Sequence, residues 1–155
     1  MVVLSACIVT VSMKCLDHDG ASELTVETER NSRRILVVDD NRDAALSLAM
    51  ILKLMGHDSR IAEDGLQAIQ VASEYHPELV FLDIGMPRMN GYDACRAIRQ
   101  LPGGDGMYIV ALTGWGQDED RRKSKDAGFD EHFTKPADPN LITQLLESLP
   151  RRDQA

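Results

Sequence analysis

Three short runs of this chain are wholly apolar and a fourth is weaker, and each ends abruptly on polar residues. Ile35-Leu-Val-Val38 runs into Asp39-Asp40, Leu79-Val-Phe-Leu82 into Asp83, Tyr108-Ile-Val-Ala-Leu112 into Thr113-Gly114, and the weaker segment at 132–134 into Lys135-Pro136. Apolar runs this short and rich in β-branched residues read as strands buried on both faces. Longer stretches with helical spacing separate them, which is the pattern of βαβ units and a parallel sheet. In such a sheet all the carboxyl ends lie along one edge, and ligand chemistry collects where the strand order reverses. Asp39, Asp40, Asp83, Thr113 and Lys135 are thereby expected to meet in one crevice.

The intervening helices follow from spacing and punctuation. The first is predicted over about Arg42 to Met55, with Ala45, Leu48, Ala49, Leu52 and Met55 on one stripe and Gly56 as its stop. His57 to Ala62 reads as a strand whose polar residues suit a sheet edge. Asp64 caps a second helix that ends near Tyr75, before Pro77. Asn90-Gly91 turns the chain into a third helix, about Tyr92 to Gln100, followed by the loop Pro102-Gly-Gly-Asp-Gly106. The fourth, Asp118 to Ala127, has almost no apolar face and should be the least firmly packed. Asp138-Pro139 starts a fifth with Leu141, Ile142, Leu145, Leu146 and Leu149 as its stripe. Right-handed crossovers then give an α/β fold of the flavodoxin-like type, a doubly wound sheet of order 2-1-3-4-5 with five helices.

The 155 residues suit one domain better than two. A net charge of −8 argues against nucleic acid as a direct partner and for recruitment of a cation. Cys7, Cys15 and Cys95 have no metal-type spacing, so a reduced, cytoplasmic setting is expected. No stretch approaches the roughly 20 apolar residues of a spanning helix, so no membrane segment is expected. Residues 1–31 differ in composition, with Glu23 to Glu29 alternating like an exposed strand. They read as an extension outside the core, or the remnant of a preceding domain. Residues 151–155 read as a short tail, with no output domain expected after Pro150.

Val37-Val38-Asp39-Asp40-Asn41, Leu82-Asp83-Ile-Gly-Met86-Pro87 with Asn90-Gly91, Ala111-Leu112-Thr113-Gly114 and Phe133-Thr134-Lys135-Pro136 stand together in one order and spacing. In these pieces the chain resembles the receiver domain of two-component response regulators, over about residues 32–150. The resemblance implies that Asp83 accepts a phosphoryl group from a phosphohistidine on a histidine kinase or histidine phosphotransfer protein. It implies Mg²⁺ held by Asp40 and Asp83, by Asp39 through a water, and by the backbone carbonyl of Gly85. It implies that Lys135 pairs with Asp83 and then with a phosphoryl oxygen, that Lys135-Pro136 is cis, and that Thr113 moves onto the phosphoryl group. Such a domain catalyses only its own phosphorylation and dephosphorylation. In hybrid kinases a receiver also follows directly on the kinase's ATP-binding domain, whose terminal strand residues 23–29 resemble.

The chain departs from the family's pattern at His132, where a Tyr or Phe usually acts as a switch coupled to the threonine. A histidine there can turn inward and can titrate; if it is buried neutral, low pH should oppose the active form. Gly85 offers no side chain to steer an attacking water, while Trp115 stands where an indole would cover the site. A haloacid-dehalogenase-like phosphatase would need a second acid at position 85, where the chain has glycine. A receiver used mainly for docking and only weakly phosphorylated is the other alternative. For output, the face of the fourth helix, fifth strand and fifth helix is the expected surface for a downstream protein.

Overall fold

The computed structural model describes residues 32–114 and 118–150, apart from the side chains of 118–120. The expectations for residues 1–31, for Trp115 and for the tail at 151–155 lie outside them. Strands and helices alternate as β1 (Arg34–Val38), α1 (Arg42–Leu54), β2 (Asp58–Ala62), α2 (Gly65–Tyr75), β3 (Leu79–Asp83), α3 (Gly91–Arg99), β4 (Tyr108–Thr113), α4 (Asp118–Ala127), β5 (Glu131–Thr134) and α5 (Pro139–Ser148). A single 3₁₀ turn, Gly104–Gly106, precedes β4. All strand pairs are parallel and the order is β2-β1-β3-β4-β5, with the polar β2 at an edge as its sequence requires.

Side-chain alternation along the strands sorts the core into two layers. Ile35, Val37, Leu79, Phe81, Val110, Leu112 and Phe133 meet Ala45, Leu48 and Leu52 of α1 and Ile142, Leu145 and Leu146 of α5. The residues between them, Leu36, Val38, Val80, Leu82, Ile109 and Ala111, meet α2, α3 and Ala127 of α4. Central β3 is buried along its whole length. Each of its large apolar side chains contributes about 1.5–3 kcal/mol relative to exposure.

The helix starts are capped by the residues that punctuate the sequence. The side chains of Asn41, Asp64, Asn90 and Asp138 accept from backbone N–H groups in the first turns of α1, α2, α3 and α5. Two details differ from expectation or sharpen it. Leu141 is 45% exposed rather than part of the α5 stripe. At 3.6 residues per turn it lies about 90° from the centre of the row Ile142, Leu145, Leu146 and Leu149. Helix α4 buries only Ser124 and Ala127 among its described side chains, which bears out its weak apolar face.

At the amino ends of the strands, Arg33 ties three elements together. Its N–H donates to His57 Nδ1 at 3.1 Å, its carbonyl accepts from Asp58 N–H at 3.0 Å, and its guanidinium donates to the carbonyls of Leu149 and Pro150. Burial pushes the His57 pKa below its usual value, the Arg33 charge adds to this, and Glu78 opposes it. A histidine favoured neutral in the folded chain contributes stability that is present above its unfolded pKa of about 6.5 and is lost as pH falls through the folded value. Between about pH 7.5 and 5 the parent chain should therefore lose more stability than His57→Asn, whose amide does not titrate. Urea denaturation at the two pH values checks this; equal losses in both proteins refute it.

Candidate functional site

The carboxyl ends of β1, β3, β4 and β5 bring the polar residues together as their positions in the sequence require. Asp83 ends β3 and is 6% exposed, and Asp39, just past β1, is 3% exposed. Asp40 is exposed, and each of the three offers a carboxylate oxygen within 4.8 Å of the others. Lys135, just past β5, reaches across the sheet edge, with Nζ 2.6 Å from Asp39 Oδ2 and 3.1 Å from Asp83 Oδ2. Its side chain therefore bridges both buried acids, and the contact to Asp39 is the shorter. The Lys135-Pro136 bond is cis, and Lys135 N–H donates to the Thr113 carbonyl at 2.7 Å.

Backbone amides complete the setting of the acids. Asn41 N–H donates to Asp39 Oδ1 at 2.9 Å and Gly85 N–H to Asp83 Oδ1 at 3.0 Å. Asn41 thus serves twice, because its own side chain caps α1. Gly91 is fixed by close approach: its N–H donates to the Ile84 carbonyl, and a Cβ there would collide with the Asp83 carbonyl oxygen and Ile84 Cα. Gly85 is different, since a Cβ would meet only Asp83 Oδ1, at an ordinary 3.8 Å.

Burial raises the Asp83 carboxyl above its ordinary range, Gly85 N–H and the Lys135 ammonium work against that, and Asp39 adds to it. For Lys135, burial alone would lower the ammonium, but hydrogen bonds to Asp39 and Asp83 and the charge of both outweigh it, so the net shift is upward. Three carboxylates facing one ammonium leave the cluster short of positive charge. Hard oxygen donors so placed suit a small divalent cation such as Mg²⁺, which uses one or two carboxylates and keeps waters.

Thr113 and His132 lie together beside this cluster. Thr113 is 6% exposed, and its Oγ1 is 2.8 Å from His132 Nε2. His132 is therefore turned inward here. His132 also lines an open groove of about 530 Å³ together with Arg121, Ser124, Lys125, Phe129, Asp130 and Glu131.

The sequence reading missed Arg99, which the structure shows holding the far ends of α3 and α4 together. No local signal marks it, because its partners, three backbone carbonyls and the Asp130 carboxylate, form no pattern of residue types around it.

The model of the response regulator receiver domain matches residues 35–147. The chain belongs to this family. Its members are signalling modules. Among curated relatives, the chain is 37% identical over 122 residues to DNA-binding response regulator MtrA of Mycolicibacterium paratuberculosis, covering 78% of this chain and 53% of that protein. It is 33% identical over 113 residues to an uncharacterized 14.6 kDa protein of Leptolyngbya boryana, covering 73% of this chain and 86% of that one. The chain spans about half the length of MtrA and of the similar response regulator MprA of Mycobacterium. Among solved structures, chemotaxis protein CheY4 of Vibrio cholerae superposes with a TM-score of 0.72 at 25% identity, covering 76% of this chain and 99% of that one. The receiver domain of sensor histidine kinase PA1611 from Pseudomonas aeruginosa superposes with a TM-score of 0.69 at 28% identity, covering 75% and 95%, and holds a magnesium ion in its active-site cleft. Among the described residues of this chain, no helix is long and apolar enough to cross a membrane.

Proposed function

We propose that the chain is a phosphorelay receiver in which Asp83 accepts a phosphoryl group from a phosphohistidine on a histidine kinase or histidine phosphotransfer protein. The observation that carries this reading is the Lys135 ammonium bridging Asp39 and Asp83 beside Asp40. Asp39, Asp40 and Asp83 would hold Mg²⁺, with the Gly85 carbonyl as a further ligand; when bound, the ion offsets charge on the transferring oxygens. An Asp83 carboxylate oxygen attacks phosphorus in line, the P–N bond breaks as the O–P bond forms, and the leaving imidazole nitrogen keeps the electron pair. Lys135 then turns to a phosphoryl oxygen, as its compact ammonium on a flexible stem allows. Thr113 shifts to donate to another.

Phosphorylation replaces the −1 of the Asp83 carboxylate with about −1.5 to −2 on the phosphoryl group, and the difference is read by Thr113, just before the loop to α4, and by Lys135, just after β5. Because α4 is so lightly packed, it can move at small energetic cost, which supports the α4, β5 and α5 face as the surface for a downstream protein. The test is incubation with a small-molecule phosphodonor and Mg²⁺, followed by mass spectrometry of the peptides. The expected result is a mass gain of one phosphoryl group on the peptide carrying Asp83, dependent on Mg²⁺. No gain, or a gain on another peptide, refutes the assignment.

A further inference from the structure

The contact between Thr113 Oγ1 and His132 Nε2 constrains hydrogen direction as well as position. A hydroxyl has one hydrogen to give and two lone pairs that accept. When Thr113 donates to Nε2, the imidazole carries its hydrogen on Nδ1 and the hydroxyl is spent. When Nε2 carries the hydrogen, His132 donates to Oγ1, and the Thr113 hydrogen is left to point elsewhere. A phosphoryl group on Asp83 presents acceptor oxygens, so only the second arrangement serves it.

We infer that His132 is a positioning residue for phosphoryl recognition: it donates from Nε2 to Thr113 Oγ1 and so directs the threonine hydroxyl hydrogen toward the phosphoryl group on Asp83. This rests on the reading of Asp83 as acceptor and Thr113 as phosphoryl ligand. It replaces the steric coupling of an aromatic side chain with a coupling through one hydrogen bond, which a phenyl ring cannot make.

A proton linkage follows from the same geometry. Both the Nε2–H tautomer and the imidazolium donate to Oγ1, and the new negative charge on Asp83 favours the imidazolium over the neutral ring. Phosphorylation therefore promotes proton uptake at His132, and acid favours the active form. Burial of the ring does not reverse this sign, because His132 already lies against Thr113 before phosphorylation, so that cost is common to both states. Among the described residues, the other charged groups near the ring are also common to both. Arg121 and Lys125 of α4 line the same groove and disfavour the cation. Glu131, whose carboxylate accepts from His132 N–H, favours it, as does Asp130, which is already engaged by Arg99 and Ile109 N–H. Lys135, three residues further along the chain, disfavours it.

Long-range ¹H–¹⁵N spectra of the histidine rings, recorded with Mg²⁺ before and after adding beryllofluoride, test the inference directly. The expected result is a protonated Nε2 on His132 in the beryllofluoride complex and an upward move of its titration midpoint. An unprotonated, acceptor-type Nε2 in that complex overturns it. If the Asp83 amide fails to respond to beryllofluoride at all, the acceptor reading itself falls, and this inference with it. Two variants separate a hydrogen-bonding role from a space-filling one. His132→Phe should bind beryllofluoride about fivefold more weakly near neutral pH, the worth of one hydrogen bond, whereas His132→Gln, whose amide can donate, should stay close to the parent chain. Relative to both variants, the parent chain should bind more tightly as pH falls, since the carboxylate titrations are common to all three. Identical affinities and pH profiles for the parent chain and His132→Phe would show that the ring only fills space.

Discussion

Lys135→Ala is expected to slow acyl-phosphate formation on Asp83 about a hundredfold while tightening, not weakening, the binding of Mg²⁺. The first half follows from chemistry: a charged donor aimed at developing phosphoryl charge in a water-poor crevice is worth about 10²–10³ in rate when removed. The second half follows from occupancy. In the structure Nζ occupies Oδ2 of both Asp39 and Asp83, so ammonium and metal compete for the same oxygens. Removing the ammonium frees both atoms and makes the crevice more negative.

A stability effect accompanies this change. With Lys135 gone, Asp39 and Asp83, whose side chains are only 4% and 8% exposed, face one another without a partner. Breaking a buried pair costs about 3–5 kcal/mol, and the 30% exposure of the Lys135 side chain reduces that to about 2–4 kcal/mol. Mg²⁺ should recover much of the loss, because it binds the folded chain and not the unfolded one. Denaturation with and without Mg²⁺, amide NMR titration of the metal, and the rate of mass gain on the Asp83 peptide measure the three effects. A slower rate accompanied by weaker metal binding would show that Lys135 only holds the crevice in shape.

What the sequence disclosed and what it concealed divide along physical lines. Burial on both faces made Ile35 to Val38, Leu79 to Leu82 and Tyr108 to Leu112 recognisable as strands from their unbroken apolar runs, and the parallel order then placed their polar ends along one edge. Asp64 and Asp138 were legible as caps because capping is a local matter of one side chain and the next three amides. Leu141 misled because it is apolar and adjacent to Ile142, yet at 3.6 residues per turn it stands about 90° from the centre of the buried row, where a leucine reaches solvent. The pairing of Lys135 was only half visible. Its approach to the site follows from strand order, but the shorter contact to Asp39 is a matter of side-chain geometry that strand order does not contain. The hydrogen bond between Thr113 and His132 depends on the register Ala111 to His132 and Thr113 to Thr134, which places both residues on the α4 side of adjacent strands.

Arg99→Ala is expected to cost about 2–3 kcal/mol of stability, more than the loss of an exposed ion pair such as Arg42–Glu63. The guanidinium donates through Nε and Nη2 to the Gly128 carbonyl, through Nη1 to the carbonyls of Gly104 and Met107, and through Nη2 to Asp130 Oδ2. Met107 is buried, so its carbonyl loses a donor that water cannot readily replace, at a cost of about 1–3 kcal/mol. The Gly104 carbonyl keeps the Met107 N–H as a donor, and the part-exposed Gly128 carbonyl can turn to solvent. Arg99→Lys should restore little, because one ammonium cannot reproduce a planar fork that serves three carbonyls and a carboxylate. These contacts lie where α3 ends and β4 and β5 begin, at the opposite edge of the sheet from Asp83, so Mg²⁺ titration of the folded variant should be unchanged. If Thr113 acts as the proposed switch, α4, with its carboxyl end held through Gly128, would pivot about that point rather than slide. Amide exchange at residues 128–130 should accordingly accelerate in Arg99→Ala. A loss below about 1 kcal/mol, with exchange there unaltered, would show that the turn holds itself without the arginine.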